Sequence, residues 1–158
     1  MDAKIRKYQD ILRISGKAVV LFGVWSIIRL LVLKFFDPDT IEAAFINPAL
    51  GINDRGMADM VFDIAIITLI IDLVFRLIIG RCAVSEGEGK KRSVVYIIFA
   101  IIYVVYTVVI EVLDIVNPFR RDIDLLYIST WVIDLTTCMA IIEIVISSIK
   151  LRKLKKVQ

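Results

Sequence analysis

Ten ionisable side chains stand inside long apolar stretches of this chain: the acids Asp59, Asp63, Asp72, Glu111, Asp114, Asp134 and Glu143, and the bases Arg29, Lys34 and Arg76. Carboxylates in such surroundings are oxygen ligands for hard cations and can also take up and pass on protons. Each charge near the centre of a bilayer costs about 2.5 to 3.5 kcal/mol on insertion scales, so these groups are expected to face protein, water or one another. By position along the stretches, Arg29, Lys34, Asp59, Asp63, Glu111, Asp114 and Asp134 belong to one half of the membrane, the outer one by the orientation argued below. Asp72, Arg76 and Glu143 belong to the inner half. Lys34, Asp59 and Asp114 lie within about a turn of the end of a stretch, where side chains snorkel to water. Arg29 is then the one deep base beside Asp63, Glu111 and Asp134, and at least one of those carboxylates needs a proton or a cation.

Asp63, Glu111 and Asp134, with Asp59 and Asp114 towards the outer mouth, are therefore the candidate cation or proton pathway, and Arg29 its counter-ion. At about 100° per residue, Tyr96, Ala100, Tyr103, Thr107, Glu111 and Asp114 form one polar arc opposite a surface of Ile and Val. The stretches carrying Asp63 and Asp134 each show two polar faces instead: Asp72 and Glu143 stand nine residues further on and point the other way. This inner-half face of Asp72, Arg76 and Glu143 can meet a second copy of the chain or line a separate aqueous cavity. It can also be neutralised locally, since Asp72 and Arg76 have the acid-to-base i, i+4 spacing.

Other chemistries find little support. The chain has no histidine, which excludes His-based zinc sites and a Ser-His-Asp triad, so any metal would be held by carboxylates. Cys82 and Cys138 belong at different depths, which argues against a disulfide, and Cys138 has no histidine base to activate it. Asp59 and Asp63, one helical turn apart, could hold a metal, but no lipid-phosphotransferase or intramembrane-protease motif accompanies them. An enzyme is not expected, nor a cofactor. Tyr96, Tyr103, Tyr106 and Trp131 read as packing or interfacial anchors.

The elements that must position these groups follow from composition. Of 158 residues, 59% are hydrophobic and 23% charged, with mean hydropathy +0.82. That is too apolar for a water-soluble domain, although the charge content is ordinary. The apolar residues gather in four blocks, 18–36, 57–79, 93–116 and 125–149, each long enough to cross a hydrocarbon core about 30 Å thick as a helix. The blocks are too long and too uniformly apolar for barrel strands. The expected fold is an all-α integral membrane four-helix bundle forming one domain over 1–158.

Basic residues set the orientation. The N-terminal tail, the middle connection and the C-terminal tail hold 14 of the 20 Lys and Arg residues, while the two connections on the other side hold only Arg55, Arg120 and Arg121. Both termini are expected in the cytoplasm, with the chain in a prokaryotic plasma membrane. The basic tails sit beside anionic lipid, so the bilayer is the expected partner and nucleic acid is not. The first block lacks a cleavage site and is long enough to span, so it is expected to stay in the protein.

Ahead of it, Ile5, Tyr8, Leu12 and Ser15 recur at helical spacing among basic residues, which predicts a short amphipathic helix lying at the interface. Residues 37–56, with Pro38, Pro48 and Gly51, form a longer connection able to cover the outer mouth. Residues 85–89, Ser-Glu-Gly-Glu-Gly, read as a flexible polar connection. Gly16 and Gly23 share a face of the first helix and allow another helix close.

Two function classes follow. The first is a small membrane protein, able to form a homo-oligomer through its second polar faces, that binds or conducts a proton or metal cation. The alternative is a non-conducting subunit, regulator or immunity-type protein whose buried charges specify helix pairing. A voltage-sensor-like module would need arginine at every third position of one helix, and no block has it.

Overall fold

The computed structural model describes residues 2–36, 55–90, 92–116 and 125–156. Among them there are four helices and no strand: α1 (Asp2–Phe36), α2 (Arg55–Gly87), α3 (Val95–Val116) and α4 (Leu125–Lys156). Runs of Ile and Val favour strands in water, but in hydrocarbon a helix satisfies every backbone donor and acceptor within one segment. Three of the helices, α1, α3 and α4, are long and apolar enough to cross a membrane, which marks the chain as an integral membrane protein. Helix α2 has the length, but every 18-residue stretch of it holds at least three Asp, Glu, Lys or Arg residues. The long connection 37–54 lies outside the described residues.

Two expectations are corrected. The amphipathic segment around Ile5 to Ser15 is not a separate interfacial helix, because α1 runs without a break from Asp2 to Phe36. Its apolar positions are used in packing: Leu12 and Ser15 are buried, and Ile5 and Tyr8 pack against the core. The Lys150 ammonium lies 5.8 Å from the centre of the Tyr8 ring and ties this end of α1 to α4.

Nor are residues 85–87 a loop. Helix α2 continues through them and stops where Gly89 adopts φ 91°. The Gly89 amide donates to the Glu86 carbonyl at 3.0 Å and the Lys90 amide to the Ser85 carbonyl at 3.1 Å, the paired bonds of a Schellman stop. Ser93 then caps α3, its hydroxyl accepting from the Val95 amide at 3.2 Å.

The chain divides into two compact units, Met1–Phe22 with Phe75–Gln158, and Gly23–Val74. In the larger, Leu12, Val19, Ile79, Ala83, Tyr96, Ala100, Tyr103, Ile141, Ile144 and Leu151 make the core. Its α3 contributes the arc expected from the sequence: Tyr96, Ala100 and Tyr103 are buried and Thr107 and Glu111 half-buried, while Ile98, Ile102, Val105, Val109 and Val112 are exposed on the opposite side. The smaller unit centres on Leu30 and Phe62 with Ile66 and Leu69.

Close packing of α1 on α2 depends on glycine. A Cβ on Gly80 would stand 2.5 Å from the Gly16 carbonyl oxygen, and one on Gly87 would stand 2.6 Å from that of Gln9. Gly80 and Gly87 are one heptad apart, so both face α1. Gly80→Ala is expected to lower stability by about 1 to 3 kcal/mol, the usual range for overpacking. Thermal unfolding of the purified protein in detergent checks this, and an unchanged Tm would contradict the packing.

Candidate functional site

The larger unit holds two polar centres. The first is built on Arg76, which α2 carries inward until only 3% of the residue is exposed. Its Nη2 donates to Asp134 Oδ1 of α4 at 2.9 Å and its Nη1 to Thr137 Oγ1 at 3.0 Å. The Thr137 hydroxyl donates to the Ile133 carbonyl at 2.8 Å, so its free lone pairs point at the guanidinium. Tyr103 offers its ring face, 5.9 Å from the Arg76 guanidinium carbon. Beside Thr137 on α4 lies the buried Cys138, with Thr107 in hydrogen-bonding range and Asp134, Arg76 and Glu111 among the charges that act on it. One carboxylate and one guanidinium thus meet beside the Thr137 hydroxyl and the Tyr103 ring.

The second centre was not anticipated. Glu86 is 4% exposed on the last turn of α2 and accepts from four donors. These are the Tyr96 hydroxyl, the Ser148 hydroxyl at 2.8 Å, and Arg152 through Nε at 2.7 Å and Nη2 at 3.2 Å. Arg152 also donates to the carbonyls of Arg92 and Ser93, at 3.0 and 3.1 Å, while the Arg92 Nε donates to Ser85 at 3.0 Å. One carboxylate therefore fastens α2, α3, α4 and the connection between α2 and α3. Burial pushes the Glu86 carboxyl up, but the bonds from Arg152, Tyr96 and Ser148 outweigh it and hold the group below its ordinary 4.5.

The remaining candidates are dispersed. Glu143 is exposed on α4 and accepts from the buried Ser15 hydroxyl of α1 at 2.6 Å. Asp63 is exposed, and Arg29 and Asp72 are half-buried, all in the Gly23–Val74 unit. In that unit Lys34 forms an ion pair with Asp59, and its ammonium sits 4.5 Å over the Phe62 ring. The Asp114 side chain lies outside the described residues. So the structure pairs Asp134 with Arg76, a residue whose position along its stretch assigns it to the other half. Among the described residues no three acidic or cysteine side chains converge as a metal site.

Glu86 escaped the sequence because glycines on both sides of Glu88 resembled a linker. The signal that could have found it is the spacing Ile79, Ala83, Glu86, which continues the buried face of α2 past the apolar block. No protein-family model, curated protein or solved structure matches the chain.

Proposed function

We propose that the protein is a four-span membrane protein, α2 included, that binds or conducts a cation, either a proton or a metal ion, at intramembrane carboxylates. The observation that carries this reading is a charge balance. Of the ten ionisable side chains in the apolar stretches seven are acids and three are bases, and Lys34 engages Asp59 while Arg76 engages Asp134. Three bases cannot neutralise seven carboxylates one for one, so hydrogen bonds, protons or cations supply the rest. Ser15 supplies one such bond, to Glu143. In this reading Asp134, with Arg76 as its counter-ion, and the half-buried Glu111 are the core of the site. Both termini are cytoplasmic in this reading, and the exposed Asp63 meets water or a second copy. In proteoliposomes, Glu111→Gln is expected to reduce cation flux to that of empty vesicles. Wild-type vesicles that leak no faster than empty ones would overturn the proposal.

A second reading has its own support. Arg76 with Asp134, Glu86 with Arg152, and Ser15 with Glu143 each join two different helices, as charges that fix helix pairing in a non-conducting subunit or regulator would. Purification as a stable complex with another protein, with a Tm that ignores cations, would select it.

A further inference from the structure

The first four turns of α1 carry a face that the core does not use. Leu12 and Ser15 turn inward, whereas Arg6 and Lys7 are exposed and Ile14 is 69% exposed. Ala3, Arg6, Lys7, Asp10, Ile11 and Ile14 recur at three-to-four spacing and make one open face of α1. The face is graded along the helix, from two cations at the terminal end to two isoleucines, and Leu21, 66% exposed, continues the apolar side one heptad beyond Ile14. Its one acid, Asp10, lies 3.9 Å from the exposed Arg13, which offsets its charge. Arg6 and Ile14 stand about 12 Å apart along the axis, which fits within a single leaflet about 20 Å deep including headgroups.

We propose that this face of α1 seats an anionic phospholipid, its phosphate against Arg6 and Lys7 and an acyl chain along Ile11 and Ile14 towards Leu21. Charge complementarity selects this occupant. A second copy docked in the same membrane orientation through this face would set Arg6 and Lys7 against their own counterparts, whereas a lipid phosphate neutralises them.

The test is a titration of the purified full-length protein in detergent with phosphatidylglycerol and with phosphatidylcholine, reading Tm. Phosphatidylglycerol is expected to raise Tm by ligand linkage and phosphatidylcholine to leave it unchanged. Arg6→Ala with Lys7→Ala should weaken the phosphatidylglycerol response about 30-fold in midpoint concentration, from roughly five-fold per basic residue. The same double variant should keep the wild-type Tm in phosphatidylcholine. Lys153→Ala with Lys155→Ala removes equal charge from exposed positions on α4 and should retain the response. Equal loss in both double variants would reduce the effect to diffuse attraction and overturn the site, as would a full response without Arg6 and Lys7. A dimer in size-exclusion chromatography that Ile14→Ser dissociates would place a second copy on the face and overturn the proposal as well.

Discussion

Asp134→Asn is expected to destabilise the protein by about 3 to 5 kcal/mol, because it takes the carboxylate charge away from the buried Arg76 guanidinium. Only 4% of the Arg76 side chain is exposed, against 19% of Asp134, so the cation has less access to water than its partner. Arg76→Met should therefore cost less than Asp134→Asn, since the stranded carboxylate can take a proton, which a guanidinium cannot release. Combining Arg76→Met with Asp134→Leu removes both charges and replaces them with apolar volume. The double variant is expected to recover most of the loss, with a coupling of about 2 to 3 kcal/mol in thermal or denaturant unfolding. Additive losses would mean that the ion pair contributes no interaction of its own.

The same double variant separates the two functional readings. It retains packed apolar volume at these two positions but lacks the Arg76–Asp134 centre. Cation flux should disappear while stability persists if the carboxylates act on a cation. An unchanged partner complex, with no flux in the wild type either, would instead assign the charges to helix pairing.

What the sequence disclosed and what it hid have one physical origin. The arc of Tyr96, Ala100, Tyr103, Thr107 and Glu111 was legible because α3 has a single buried face, so its polarity repeats at the helical period. Helices α2 and α4 bury polar groups on more than one side: Arg76 and Glu86 on α2, Thr137, Ser147 and Ser148 on α4. Periodicity then identifies faces but not which faces meet. Arg76 illustrates this, since i, i+4 spacing offers Asp72 but does not disclose Asp134, a partner on α4 that is 58 residues away in sequence. Glycine misled in both directions. Gly16 was read as a contact point and is one, but its counterpart is Gly80, which stands just past the apolar block ending at residue 79. Gly87 suggested a linker although it lies against α1, and only Gly89 has the left-handed φ that stops the helix.

Glu86 gives the other large effect, and its dependence on pH is the sharper test. Glu86→Ala removes the acceptor of four donors and leaves Arg152, whose side chain is 24% exposed and so partly hydrated, without its carboxylate. The expected cost is about 3 kcal/mol, the low end for breaking a buried pair, or roughly 6 to 12 °C in Tm for a chain of this size. In the wild type the native carboxyl lies below its ordinary 4.5, so its stabilising contribution is complete above about pH 4.5 and is lost as pH falls through the native value. Arg152→Ala should reverse this behaviour. It takes away the charge partner while burial, which pushes the carboxyl up, remains, and Tyr96 and Ser148 are left to oppose it alone. Protonation then favours the folded state, so the variant should be least stable near neutral pH and gain relative to wild type on acidification. Parallel Tm curves for wild type and Arg152→Ala from pH 7 down to pH 4 would show that Arg152 does not hold Glu86 ionised.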